Sequence, residues 1–308
     1  MPAMKYVFGP VPSRRLGSSL GISPIPERTC NYSCIYCQLG RTLHMTNTRQ
    51  EFFCLEDILK EVDAYLQEEL SFDVVTIVGE GEPTLYSRLG DLIDALHQRV
   101  DVPVAVITNG GLLYDASVRE ELMKADIVLP SLDAYCLDLY KKIDRPIGTL
   151  NLEASLRGLI QFSKDYKGQL YMEIMLVEGL NTSKKDLESM KEVLDRIEYD
   201  RVYINTVVRP PAESEVLPAT QASIEQAVMC LGGISIDSLS TGSFFSEIED
   251  PYEALLSIIA RHPMNQFEIQ SFLEGRNVTN GNEIFGRLDQ DEKLLKKEYK
   301  GYSTYRIK

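Results

Sequence analysis

Between residues 55 and 206 the apolar positions switch repeatedly between two periods. Leu55, Ile58, Leu59, Val62, Tyr65 and Leu66 recur at helical spacing and predict a helix over 55–66. Val74-Val75-Thr76-Ile77-Val78 follows as an unbroken apolar run, the mark of a strand covered on both faces. The pair of patterns then repeats: helix 88–98 (Leu89, Leu92, Ile93, Leu96) and strand 103–108, helix 115–124 and strand 126–131, helix 151–163 and strand 169–177, helix 183–196 and strand 201–206. Upstream, residues 5–29 are rich in Gly and Pro, and Ser19–Ser23 reads as a first strand. Strands that alternate with helices predict parallel βα units and an α/β fold. Right-handed crossovers either curl such units into a barrel or lay them in an open sheet, and periodicity does not choose.

The pattern changes near residue 216. A helix over 221–231 and a short strand or connector at 232–237 lead to a second small unit. There, helices over 251–261, 266–273 and 282–288 precede a hairpin of 294–299 and 302–307, turning at Lys300-Gly301. The expected organisation is therefore 1–215, a connector 216–249, and a winged-helix-like unit 250–308. Lys293, Lys296, Lys297, Lys300, Arg306 and Lys308 make the hairpin basic, and Arg287 lies on the third helix. A basic wing grips nucleic acid or contacts protein.

The 308 residues carry a formal net charge of −14, against the basic balance usual in nucleic-acid binders. No apolar run approaches the length of a membrane span, and Met1–Tyr6 contains no apolar signal region, so a cytoplasmic protein with reduced cysteines is expected. Cys54, Cys136 and Cys230 are scattered and read as small buried hydrophobes. His44, His97 and His262 show no metal-ligand spacing.

Cys30, Cys34 and Cys37 are different: they stand in C-x3-C-x2-C within eight residues. Thiolates suit iron–sulfur clusters or zinc. Three of them, with no second C-x2-C in the chain, leave one vertex of a [4Fe–4S] cube open to a small molecule. A rival of another class is an iron–sulfur regulator that binds DNA through its wing.

With Tyr36 as the aromatic before the last cysteine, Cys30–Cys37 resembles the signature of radical S-adenosylmethionine (SAM) enzymes. Phe8-Gly9-Pro10-Val11-Pro12-Ser13-Arg14-Arg15-Leu16-Gly17 and Cys34-Ile35-Tyr36-Cys37-Gln38-Leu39-Gly40 are similar to the branch named after wyosine-base synthases of tRNA. Wyosine synthases carry further cluster cysteines upstream, and this chain has none before Cys30. The resemblance implies a partial (β/α)6 barrel, a [4Fe–4S] cluster held by the three cysteines, and SAM on the open iron. Reductive cleavage of SAM then yields a 5′-deoxyadenosyl radical. A flavodoxin- or ferredoxin-like reductant and a macromolecular substrate, tRNA or a protein or peptide, are the implied partners, with no membrane.

Chemistry in parallel α/β folds gathers at the carboxyl ends of the strands. The second strand ends in Gly79-Glu80-Gly81-Glu82-Pro83, similar to the family's Gly-Gly-Glu element for the SAM amino group, with Glu80 in place of a glycine. Thr108 and Asn109 end the third strand and are expected to face SAM. Ser131 and Asp133, at alternate positions after the fourth, suit its ribose hydroxyls. Glu173 and Met175 share the inward face of the fifth, where a buried Glu needs a partner, SAM or Arg209. Asn205 ends the sixth and joins the SAM set at the substrate mouth. Arg14, Arg15, Arg145 and Arg209 are the candidates for substrate phosphate or carboxylate. His44 is a candidate proton donor.

Overall fold

The computed structural model describes residues 5–67, 71–236, 244, 246, 248–278, 280–299 and 302–308. Met1–Met4, most of the connector beyond 236 and the Lys300-Gly301 turn lie outside them.

The first unit is an eight-stranded sheet in the order β1-β2-β5-β6-β7-β8-β9-β10. Its strands are β1 (Val7–Ser13), β2 (Gly17–Ile22), β5 (Val74–Ile77), β6 (Val104–Thr108), β7 (Ile127–Pro130), β8 (Gln169–Leu176), β9 (Arg201–Thr206) and β10 (Ile234–Ser235). Every pairing is parallel except β1 with β2. β3 (Thr29–Cys30) and β4 (His44–Met45) form a separate parallel pair. Helices α1 (Leu55–Leu66), α2 (Leu89–His97), α3 (Ala116–Leu122), α4 (Leu137–Leu139), α5 (Leu152–Asp165), α6 (Lys184–Leu194) and α7 (Gln221–Leu231) connect the strands. α1 buries Leu55, Ile58, Val62 and Tyr65, the stripe its sequence spacing predicts.

β1 is an addition to the sequence reading. Its Pro10 and Pro12 lack an N–H, which a central strand would need, but β1 is the outermost strand and has only one ladder to serve.

The sheet curls. The Tyr203 hydroxyl on β9 donates to the carbonyl of Arg15 (3.4 Å), and Arg15 forms an ion pair with Glu173 on β8. Both contacts span from the β1–β2 turn across the concave face. Met172, Ile174 and Leu176 pack outward under the helices, while Tyr171, Tyr203, Ala105 and Leu129 fill the lumen at the amino ends of the strands. The carboxyl ends are thereby left to polar residues.

The second unit has its own core, including Tyr252, Leu255, Ile258, Phe272, Leu288 and Tyr305. Helices α8 (Pro251–Arg261), α9 (Gln266–Gly275) and α10 (Gly281–Gln290) pack with a sheet of β11 (Met264–Asn265), β13 (Tyr302–Ile307) and β12 (Leu294–Tyr299), in that order. Asp250 caps α8 by accepting from the amides of Tyr252 and Glu253, both at 2.9 Å.

Candidate active site

The cysteine loop is stitched into place by backbone. The amide of Ile35 donates to Ile143 O (2.9 Å), that of Ser33 to Asp144 O (3.0 Å), and that of Ile147 to Asn31 O (2.8 Å). The segment after β7 thus forms one wall of the loop. The Gly79–Pro83 turn forms another: Arg28 donates its amide to Glu80 O (2.6 Å) and Glu82 to Thr29 O (3.1 Å).

Burial pushes the thiols of all three cysteines up, Cys30 to about 12 and Cys34 well above the usual range. Arg306 and Arg28 act in the opposite sense on Cys37. The Cys30 sulfur accepts from the amide of Tyr32 (3.4 Å) and from Asn109 Nδ2 (3.6 Å). Among the described residues, the three ligating side chains with donor atoms within 4.8 Å of one another are Glu51, Cys54 and Glu56, on the exposed surface.

A cavity of about 330 Å³ opens beside the loop, lined by Tyr36 and Cys37 at one side and by Gly79, Glu80, Glu173, Met175 and Asn205 at the strand ends. Arg14, Arg15 and Arg209 also line it. Asn109, Ser131 and Asp133 line a smaller crevice that shares Tyr36 with the cavity. Glu82 and Thr108 line neither. The Glu82 carboxylate is buried and accepts from Thr108 Oγ1 (2.6 Å), the Asn109 amide (2.7 Å) and Thr84, so it clasps the ends of β5 and β6. Asp133 accepts from the Tyr36 hydroxyl and from the Met175 amide (2.8 Å). It also faces Asp144, and burial raises both carboxyls, Asp144 further by the charge of Asp133. Burial and mutual repulsion both favour a proton held on this pair.

The partner of Glu173 is Arg15, with Asn205 Nδ2 at 3.0 Å, and not Arg209. Burial lowers Arg15 to about 10, so it stays charged at neutral pH. Arg209 turns to the second unit. It donates to Pro263 O (2.7 Å), pairs with Glu268 (3.2 Å) and meets His262 Nε2. Glu268 also caps α9, accepting the Asn265 amide at 2.8 Å, so one carboxylate ties helix start to cavity wall. Burial and the neighbouring arginines hold His262 well below its ordinary value and keep it neutral.

Arg145 does not reach the cavity. It and Arg41 bind the buried carboxylate of Glu213, Arg41 in bidentate fashion at 2.7 and 2.8 Å. Glu213 also donates its amide to Ile35 O (3.1 Å), closing a clasp on the cysteine loop. Sequence reading assigned Glu213 no role, because its partners lie far away along the chain. Hydrogen bonds from the two guanidinium groups hold Glu213 down at about 2. A folded value below the ordinary one, about 4.3, gives stability that is complete above that value and fades as pH falls toward 2. The unfolding midpoint of the wild type should therefore exceed that of Glu213→Gln by a constant margin above about pH 5.5, narrowing on acidification. A margin that does not change between pH 6 and 3 would contradict the clasp.

Two further expectations need correction. Cys54 is exposed, donating to Glu56 Oε2 at 2.8 Å, and Cys136 and Cys230 are only half-buried. They sit at the starts of α1 and α4 and on α7, unconnected to the loop. The hairpin is not a free basic wing. Arg306 is 8% exposed and donates to the carbonyls of Gln38, Pro210 and Pro211, each at 3.3 Å. Lys296 pairs with Asp289, and Arg287 stacks on Tyr252 at 3.7 Å. His97 pairs with Asp126 (2.9 Å), and His44 is exposed on β4.

The model of the radical SAM superfamily matches residues 25–200 of the chain. A UPF0026 protein of Methanocaldococcus jannaschii is 34% identical over 310 residues, covering 98% of this chain and 96% of its own. A protein of Brachyspira hyodysenteriae named GTPase Obg is 33% identical over 309 residues, and the chain spans 45% of its length. Among solved structures, that of TYW1 with a lysine-pyruvate adduct bound superposes with a TM-score of 0.54 at 21% identity, over 70% of this chain and 74% of the other, a likeness of fold. No described helix is long and apolar enough to cross a membrane. With a family model over more than half its length and a full-length relative of the UPF0026 group, the chain belongs to the radical SAM superfamily of enzymes.

Proposed function

We propose that this chain holds a [4Fe–4S] cluster on Cys30, Cys34 and Cys37, cleaves SAM reductively, and modifies a residue of a protein or peptide. The observation that carries the reading is the cavity running from Tyr36 and Cys37 to Glu173 and Asn205. The residues present fit the two cofactors. Three half-buried thiols, each held above its ordinary range, need a metal's charge to ionise, N–H donors point at the Cys30 sulfur, and the polar strand ends supply both signs of charge for a zwitterion. Bound together, cluster and SAM supply a reducing electron and a 5′-deoxyadenosyl radical.

The chain's own residues position and shield. Tyr36, fixed by Asp133, stands between cavity and crevice. Gly79 and Glu80 offer backbone and carboxylate to an ammonium, while the neutral rim of Ile107, Met175 and Val207 excludes water. Glu173, already paired with Arg15 and Asn205, is held rigid for hydrogen bonding. Anaerobic reconstitution with iron and sulfide, followed by dithionite and SAM, should give 5′-deoxyadenosine. Folded protein that yields none, or that takes up zinc instead, overturns the reading.

The protein or peptide is preferred because three of the wing's cations, Arg287, Lys296 and Arg306, are spent on contacts within the chain and the net charge is −14. A tRNA base is the second reading, favoured by the resemblance of Phe8–Gly17 and Cys34–Gly40 to the wyosine branch. Salt-steep binding of tRNA would select it.

Asn109 is expected to tune the cluster rather than hold it. Its Nδ2 also donates to Asn31 Oδ1 at 2.7 Å, which fixes the amide beside Cys30. Hydrogen bonds to ligand sulfurs raise cluster potentials. Asn109→Ala should retain iron but lower the midpoint potential by tens of millivolts in an electron-paramagnetic-resonance titration, on the order expected for one N–H···S bond. An unchanged potential would remove this role.

A further inference from the structure

Arg306 is a buried cation with no acid beside it. Side chains alternate along β13, and Tyr305 packs into the core of the second unit. Thr304 and Arg306 share the opposite face, and both are buried. The partners of the Arg306 guanidinium, the carbonyls of Gln38, Pro210 and Pro211, are neutral. Among the described residues it forms no ion pair. Glu213, two residues past Pro211, is already held by Arg41 and Arg145. A buried charge left without a counter-charge is costly. The surroundings show where one belongs. Gln38 directly follows Cys37, and the Gly40 amide closes the turn on Cys37 O at 3.1 Å. A Cβ built on Gly40 lies 3.8 Å from the guanidinium groups of both Arg306 and Arg28. Arg28 has its acid in Glu27. Burial works against the charged forms of Arg306 and Cys37, and each opposes that penalty for the other.

We propose that Arg306 is the counter-charge of the cofactor held at Cys37, a positioning residue through which the second unit is seated on the loaded cysteine loop. The proposal rests on the reading of Cys30, Cys34 and Cys37 as ligands of a [4Fe–4S] cluster. Three thiolates carry more negative charge than an oxidised cube carries positive, and reduction widens the excess. A fixed cation beside them therefore favours both loading and reduction. The effect is reciprocal: what Arg306 contributes to holding the cluster, the cluster contributes to holding Arg306. This bears on the cavity, because Arg261 of α8, His262 and Glu268 of α9 belong to its wall. In the unloaded chain Arg306 is buried against carbonyls alone, so the seat of the second unit is weakest without the cofactor. Loading the cluster and completing the cavity wall then reinforce each other.

Two variants separate a counter-charge from a hydrogen-bonded strut. Arg306→Lys keeps the charge and loses the fork, whereas Arg306→Gln keeps donors and loses the charge. A fixed charge about 10 Å from a redox centre, at an effective dielectric of about 20, shifts an equilibrium by about tenfold. In an electron-paramagnetic-resonance titration of the reconstituted full chain, Arg306→Gln should lower the midpoint potential by about 59 mV, the one-electron equivalent of tenfold. Arg306→Lys should stay at the wild-type potential. So should the control Lys296→Gln, whose lysine pairs with Asp289 on the wing. Hydrogen exchange over β13 of the wild type should slow severalfold when the cluster is loaded. An Arg306→Gln potential equal to that of the wild type overturns the proposal. So do equal drops in Arg306→Gln and Arg306→Lys, or exchange over β13 that is the same with and without the cluster. If Arg306→Gln assembles no cluster, the exchange measurement on the wild type decides alone. A wild type that assembles none refutes the cofactor reading and this proposal together, whereas a loaded wild type that fails these comparisons refutes the proposal alone.

Discussion

A Cys34→Ala variant will fold, take up almost no iron and form no 5′-deoxyadenosine. Cys34 is the middle cysteine of the proposed ligand trio and packs partly against the main core, with Asp144 Oδ1 4.0 Å from its sulfur. Removing one sulfur from this position costs little in packing, on the order of 1 kcal/mol, because the loop is held by backbone bonds to Ile143, Asp144 and Glu213 that the substitution leaves alone. The cluster has no such reserve: two thiolates from Cys30 and Cys37 do not replace three. Iron content, the absorbance of the reconstituted protein and chromatography of the SAM reaction check the outcome, beside circular dichroism for the fold. Cys54→Ala and Cys136→Ala serve as controls and should keep both iron and product, since Cys54 bonds to Glu56 on the exposed surface and Cys136 stands at the start of α4. A Cys34→Ala protein that still makes product would remove the three-cysteine site altogether.

Much of this architecture is legible in the residues because burial on both faces writes itself as unbroken apolar runs. Val74–Ile77, Val104–Thr108 and Ile127–Pro130 are such runs, and the helices between them carry one apolar stripe each. The cysteine spacing is equally plain, since ligands on one loop must be close in sequence. What remained hidden is whatever depends on distance along the chain. Arg41 meets Glu213 across 172 residues, and Arg306 meets Gln38 across 268. Nothing local to either residue distinguishes it from a solvated charge. Arg306 read as part of a nucleic-acid wing for that reason, whereas burial against three carbonyls makes it a strut for the loop. Glu82 shows a subtler limit. Its place in the Gly-Glu-Pro turn marks it as important, but only the structure shows its carboxylate saturated by Thr84, Thr108 and Asn109. β1 was missed because prolines, which argue against a strand, are harmless on an outer edge.

Gly81→Ala should be the most damaging single methyl in the site. A Cβ built there lies 1.7 Å from Thr29 O, 2.6 Å from Thr29 C and 2.9 Å from Ile25 Cγ2. The obstacle is backbone, so no rotamer change relieves it. Either the Gly79–Pro83 turn or the start of the cysteine loop has to move, and the Glu82 amide bond to Thr29 O at 3.1 Å is lost with it. Overpacking of this kind costs about 3 kcal/mol, with the backbone clash pushing toward the upper end of the usual range. Because Thr29 immediately precedes Cys30, the strain falls on the ligand loop first. The unfolding midpoint should drop by several degrees and reconstituted iron should fall well below wild type. Gly148→Ala, where an added Cβ meets nothing within 4 Å, is the matching control and should be neutral in both measurements. If Gly81→Ala loads iron as the wild type does, the close approach of the glycine turn to the cysteine loop is not what holds the site together.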